Sequence, residues 1–230
     1  MPRLPISSVQ YGHSGVRRWT RSSFGLVVAL VTVIGFSLPT PGLAGKEDPS
    51  PTVTILVYNH TQASAAILAG AEREAGRILG EAGLQPVWLD CLSRDSAGDL
   101  QELCHKAREP IDVVLRVLPG HIQGRLQDTL FGFASPPALA SVYYEYAGRL
   151  ASSDTEISLM LGCAIAHEVG HLLLGPNSHS AAGIMQGEWE PKQFPLILRG
   201  GLLFTSQQSN LIQAEARRRM RLQTASLKEQ

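Results

Sequence analysis

The sequence predicts one mixed α+β (α/β) domain, a twisted mixed sheet with two main helices packed on it and a further helix at the C-terminus. Three observations predict this. Apolar runs of strand length alternate with longer helical stretches along the 230-residue chain, which argues for a sheet covered by helices. The stretch Ile157 to Leu174 is apolar almost throughout, as a buried helix is. Once a leader is set aside, about 185 residues remain, the size of one domain with one core.

The leader comes first. The first 44 residues hold Arg3, Arg17, Arg18 and Arg21 and no acid, followed by a 15-residue apolar stretch, Phe24 to Leu38, and then Gly42, Leu43 and Ala44. Basic flank, short apolar centre and small residues at the cleavage-type positions are the layout of a secretory signal peptide. The apolar stretch is shorter than the roughly 20 residues that span a bilayer. A secreted or periplasmic chain is therefore expected, with no stable membrane insertion after cleavage; an uncleaved N-terminal anchor facing outward is the alternative. The twin arginines Arg17 and Arg18 fit a twin-arginine signal poorly. The expected organisation is a signal peptide over 1–44, a linker over 45–51, a folded domain over 52–222 and a flexible tail over 223–230. Only about seven residues separate the cleavage point from the first strand, so no inhibitory prosegment is expected. Nothing in the chain indicates an oligomeric state.

Within the domain, apolar alternation and β-branched content predict strands at Val53 to Tyr58, Pro86 to Leu89, Val113 to Leu118, Leu130 to Ala134 and Ser141 to Tyr146. A helix is expected from Ala63 to Gly80. Ser153 and Glu156 form a capping box ahead of the apolar run 157–174, and Gly175 followed by Pro176 ends that helix. Gly170 inside the run costs about 1 kcal/mol relative to alanine, which implies that something packs closely there. Thr205 and Gln208 form a second capping box and start a C-terminal helix. Arg217, Arg218, Arg219 and Arg221 fall near its end, where cations complement the helix dipole, so a solvated helix end is expected.

Composition excludes one class of partner. The leader takes four of the twenty basic residues and none of the twenty acids, leaving the rest about four charges negative. No nucleic-acid footprint results. In an oxidising compartment Cys91 and Cys104, which bracket a polar segment, are the natural disulfide, and a loop of that size stabilises by about 3 kcal/mol. Cys163 reads as a buried helical cysteine rather than a metal ligand.

Chemistry concentrates in AHEVGHLLLGPNSHSAAGIM, Ala166 to Met185. Helical residues four apart differ by about 40° in angle and 6 Å in height, so His167 and His171 stack on one face. Two imidazoles so placed can grip one Zn²⁺ at about 2 Å, leaving further positions for another residue and a water. Glu168 projects between them, too far round to ligate comfortably, and suits general acid and base work. The helix stop at Gly175 and Pro176 returns Asn177, Ser178 and His179 toward the same place.

This run resembles the metzincin superfamily of zinc peptidases, whose pattern is HExxHxxGxxH followed by a methionine-bearing turn. On that resemblance His167, His171 and His179 would be the metal ligands, Glu168 the catalytic carboxylate, Gly175 the turn glycine and Met185 the Met-turn. The spacing departs from the pattern: the glycine follows His171 by four residues and the third histidine by eight, rather than three and six. His179 to Met185 looks like a shortened HSxxxxxLM stretch of matrix metalloproteinases. The HEVGHLLLG, NSHS and GIM segments are also similar to those of bacterial secreted proteins of unassigned activity. The resemblance implies a zincin fold with an antiparallel edge strand and an active-site helix followed by the Met-turn. It further implies an endopeptidase with one catalytic Zn²⁺ and a peptide or protein substrate. That substrate would lie extended along Leu130, Phe131, Gly132, Phe133 and Ala134, with Gly132 permitting close approach.

Rival readings stand beside it. Glu188 and Glu190 are candidate acidic third ligands of the thermolysin type, although Pro191 disfavours the helix such a ligand needs, and a solvated loop is the expected reading. Met185 is also plain core filling. His60, His105 and His121 have no partners at ligand spacing. For the whole chain, the alternatives to a peptidase are an extracellular binding module with a structural zinc, and a zinc amidohydrolase acting on a non-protein amide.

Overall fold

Residues 49–92, 98–105, 109–120 and 131–228 are described by a computed structural model. The expected signal peptide, most of the linker, His121, Leu130 and the last two residues lie outside them. Parallel strands buried on both faces read as continuous apolar runs, and the centre of the sheet shows this. Strand β1 (Thr52–Asn59) buries Val53, Ile55, Leu56 and Val57. It pairs in parallel with β2 (Gln85–Asp90) on one side and β3 (Val113–Leu118) on the other. β3 pairs in parallel with β5 (Leu139–Tyr143), and β4 (Gly132–Ser135) closes the row antiparallel to β5. The order is β2-β1-β3-β5-β4, the mixed sheet with an antiparallel edge strand that the sequence led us to expect.

Helix α1 (Ala65–Glu81) connects β1 to β2 and is capped by Ser64, whose hydroxyl accepts from the Ile67 N–H. The short helix α2 (Gly98–His105) carries Cys104 to Cys91, with which it forms a disulfide. No helix was expected in the polar segment between these cysteines, because eight residues with little apolar content carry no helical stripe. β5 stops at Tyr143 and the chain turns into α3 (Tyr144–Leu150), where a strand to Tyr146 was expected. Tyr-Tyr-Glu-Tyr satisfies a two-residue alternation as well as a helical one. What decides is tertiary: the Glu145 N–H donates to the Pro119 carbonyl, and the Tyr146 ring packs edge-on to Phe131.

Helix α4 (Asp154–Leu174) is the buried centre of the domain, packed against α1, α3, β4 and β5. Its cap forms as expected at Ser153, except that the Glu156 carboxylate accepts from the Ser152 N–H. Length and composition would let α4 cross a bilayer, yet it is mostly buried among the other elements. After a 3₁₀ turn (Pro191–Gln193) and the short α5 (Phe194–Leu198), α6 (Ser206–Lys228) packs on α4 and continues through the stretch expected to be a tail from 223. Arg219 departs from the solvated helix end expected of its cluster. It is buried, and its guanidinium donates to the carbonyls of Leu172 and Pro137 and to Glu215. Those carbonyls belong to the end of α4 and to the β4–β5 connection, so the cation ties three elements together.

Candidate metal centre

α4 presents His167 and His171 one turn apart, and their Nε2 atoms lie 3.0 Å from each other. The chain then leaves the helix through Gly175, at φ 90° and ψ 176°, a conformation open essentially to glycine alone. Asn177 follows at φ 60°. These two departures from ordinary backbone accommodate the long spacing and bring His179 back, its Nε2 3.1 Å from that of His171. Among the described residues the three histidines are the one cluster of metal-ligating side chains.

Partners on the far side of the rings fix which nitrogen faces inward. His167 Nδ1 lies 2.7 Å from the Ile184 carbonyl, which can only accept, so Nδ1 carries the proton and Nε2 holds a lone pair. His171 Nδ1 lies 2.9 Å from Ser178 Oγ, which can accept in the same way. Two lone pairs therefore converge, and the three Nε2 atoms lie 3.0–3.1 Å apart along the chain of contacts through His171. Ligands bonded at about 2.0–2.1 Å in tetrahedral geometry stand about 3.3 Å apart, so the set suits a Zn²⁺ ion with little adjustment. Without a shared cation such a convergence is repulsive. Burial pushes His167 down to about 4, the Ile184 contact opposing and the other two imidazoles adding to the shift. Burial also pushes His171 down to about 4, with His179 adding. Both rings are thus neutral at pH 7, the form that ligates.

Glu168 projects into the same cleft, 5% exposed, and burial raises its carboxyl to about 8. It reaches the edge strand. A Cβ on Gly132 would stand 3.1 Å from Glu168 Oε1 and 2.4 Å from the Ser141 carbonyl. The close approach at Gly132 is therefore made by the protein's own carboxyl and by strand β5. Met185 is fully buried under α4, and a Cβ on Gly170 would lie 2.7 Å from its Sδ and 2.8 Å from the Phe204 ring. This is the close packing that a glycine inside the helix implied.

The cleft has a volume of about 340 Å³, with Phe131 to Ala134 along one side and the three histidines and Glu168 at its base. Trp189 forms part of the wall. Its indole N–H donates to the Ile184 carbonyl, its ring meets His167 edge-on, and Phe131 packs against it at 4.9 Å. Sequence reasoning brought Ser178 toward the site without giving it a role, and missed Trp189 and the Ile184 carbonyl. The hydroxyl beside His179 and the aromatic beside Glu188 were visible signals, whereas a backbone carbonyl has none.

The rivals fall elsewhere. Glu190 is exposed and pairs with Lys192, and Glu188 is exposed on the cleft lip, so neither joins the cluster. Cys163 is buried, and burial pushes its thiol up, as for a core cysteine. His60 and His105 stand apart from the three histidines.

Sequence comparison finds no matching protein family and no matching curated protein. Solved structures similar to this fold include a zinc-dependent peptidase from Methanocorpusculum labreanum, at 15% identity and TM-score 0.45, covering 70% of this chain and 99% of that one. Archaemetzincin from Methanopyrus kandleri is similar at 16% identity and TM-score 0.45, covering 78% of this chain and 99% of that one.

Proposed function

We propose that this chain is an exported zinc-dependent peptidase, with Zn²⁺ held by His167, His171 and His179 and Glu168 as the general base and acid. The observation that carries the proposal is the convergence of three imidazole Nε2 atoms beside a buried carboxyl in one cleft. A Zn²⁺ bound there supplies a Lewis acid that polarises a carbonyl and lowers the pKa of water toward 7. The protein's own groups supply the rest. The carboxyl of Glu168, held between α4 and Gly132, is positioned to take a proton from an attacking water and pass it to a leaving amine. Among the described residues β4 pairs only with β5, and it lines the cleft, so its second edge offers backbone donors and acceptors to an extended peptide. The Cys91–Cys104 disulfide supports export to an oxidising compartment.

The test is zinc content and hydrolysis of a peptide library, wild type against Glu168→Gln. We expect one zinc per chain in both, with kcat falling by about 10²–10⁴ in the variant. A wild-type chain that holds one zinc but cleaves only non-peptide amides would make it an amidohydrolase. One that cleaves nothing would make it a binding module.

A further inference from the structure

We infer that Gln208, at the start of α6, is a positioning residue for His179. This rests on the three-histidine metal site proposed above. The Thr205 and Gln208 pair does form a capping box: the Gln208 N–H donates to Thr205 Oγ1 and the Thr205 N–H donates to Gln208 Oε1. Because a backbone N–H can only donate, the side-chain oxygen must face it, and the amide NH₂ must face the other way. That NH₂ donates to Ser180 Oγ at 2.9 Å, across 28 residues of sequence, and Gln208 is only 8% exposed.

Ser180 immediately follows His179. Its hydroxyl accepts from Gln208 and donates to the Ala182 carbonyl at 2.8 Å, while its N–H donates to the Met185 carbonyl at 2.8 Å. The loop 180–185 is thereby closed on itself, and a second bond, Ile184 N–H to the Leu203 carbonyl, fastens it to the strand of chain entering α6. Ile184 is the residue whose carbonyl orients His167. One short platform, Leu203 to Gln208, therefore anchors the loop that holds both His167 and His179 in place. His171, by contrast, is oriented by Ser178 inside its own turn. His179 is itself exposed, and the bond from Gln208 to Ser180 is the link that ties the chain beside it directly to α6.

Three variants of the full chain separate positioning from capping, read by zinc competition with a chromogenic chelator and by thermal unfolding. Gln208→Glu keeps an oxygen for the Thr205 N–H and replaces the donor to Ser180 with an acceptor; Ser180→Ala removes the hydroxyl that accepts from Gln208 and donates to Ala182, without adding charge. Thr205→Ala loses the side-chain half of the cap and leaves the link to Ser180 intact. We expect the first two to weaken zinc binding about 10- to 100-fold, the range typical of groups that orient a metal ligand. The third should lower Tm by about 2–4 °C with zinc affinity within about twofold of wild type. Excess zinc should restore the hydrolytic rate of Gln208→Glu and Ser180→Ala. If both hold zinc as tightly as wild type, or if Thr205→Ala weakens it equally, the positioning role is wrong while the metal site stands. Failure of the wild type to bind zinc would overturn the site and this inference together.

Discussion

His167 and His171 stand on a helix buried on nearly every side, whereas His179 stands in an irregular stretch between α4 and the 3₁₀ turn. The two regions deliver the same ring nitrogen, Nε2, to one cluster by different physics. On the helix, the four-residue spacing fixes relative placement, and the backbone hydrogen bonds that hold it are internal to α4. In the loop, placement depends on a glycine at φ 90°, an asparagine at φ 60° and bonds to Gln208 of α6 and to Leu203 just before it. A helical ligand is thus held by local geometry plus core packing. A loop ligand is only as well placed as the contacts that surround it.

The largest effect tests this contrast directly. His167→Ala or His171→Ala removes a ligand from the rigid half of the site, and zinc affinity should fall well beyond the roughly 10- to 100-fold typical of an orienting group. His179→Ala removes a ligand whose loop must be ordered to bind, so part of the lost bond energy is offset by chain entropy no longer spent. We expect a smaller loss for His179→Ala, measured by the same chelator competition. Equal losses would mean the loop is as rigid as the helix before metal arrives.

Acid and base titration comes next. The folded values of His167 and His171, near 4, lie below the ordinary 6.5, so the zinc-free protein gains stability that is present above pH 6.5 and lost as pH falls through 4. Glu168 works the other way: raised from 4.5 to about 8, it contributes stability at low pH that is lost as pH rises through 8. Between 4.5 and 6.5 two imidazoles outweigh one carboxyl, and above 6.5 only the carboxyl remains. These three groups therefore place the stability maximum of the zinc-free protein near pH 6.5. Bound cation favours the carboxylate, so zinc should flatten the alkaline arm. Tm against pH, with and without chelator, checks both arms. An alkaline arm unchanged by zinc would place Glu168 outside the reach of the ion.

What the sequence disclosed divides along the same line. Strands β1 to β3, α1, the Ser153 cap and the stacked pair on α4 follow from short-range rules of period and spacing and were readable, whereas β4 and β5 lie at Gly132–Ser135 and Leu139–Tyr143, shifted from the stretches expected. The helix α2 was hidden because a short polar helix has no core-facing stripe. Helix α3 was hidden because Tyr144 to Tyr146 fits two periods, and only the bond to Pro119 and the packing on Phe131 choose between them. Buried Arg219 escaped because its two distant partners are carbonyls, which do not mark themselves in a one-dimensional pattern, while the Glu215 pair four residues away would serve a solvated helix face equally well. Around the three-histidine cluster, the imidazoles and the nearby Ser178 were legible, whereas the Ile184 carbonyl and the Gln208 amide were not, since both act through tertiary geometry.

The smallest expected effect contrasts two helical glycines. Gly80 in α1 has open space where a Cβ would go, so Gly80→Ala should gain about 0.5–1 kcal/mol from helix propensity alone. Gly170 in α4 has Met185 Sδ at 2.7 Å and Phe204 at 2.8 Å from that position. Overpacking there costs about 1–3 kcal/mol, against which about 1 kcal/mol of propensity is too little, so Gly170→Ala should destabilise. It should also weaken zinc binding, because Met185 adjoins the Ile184 carbonyl that orients His167. Urea unfolding of the zinc-free variants gives the two signs. A stabilised Gly170→Ala would mean that Met185 yields freely, and that the loop beneath α4 is softer than its burial implies.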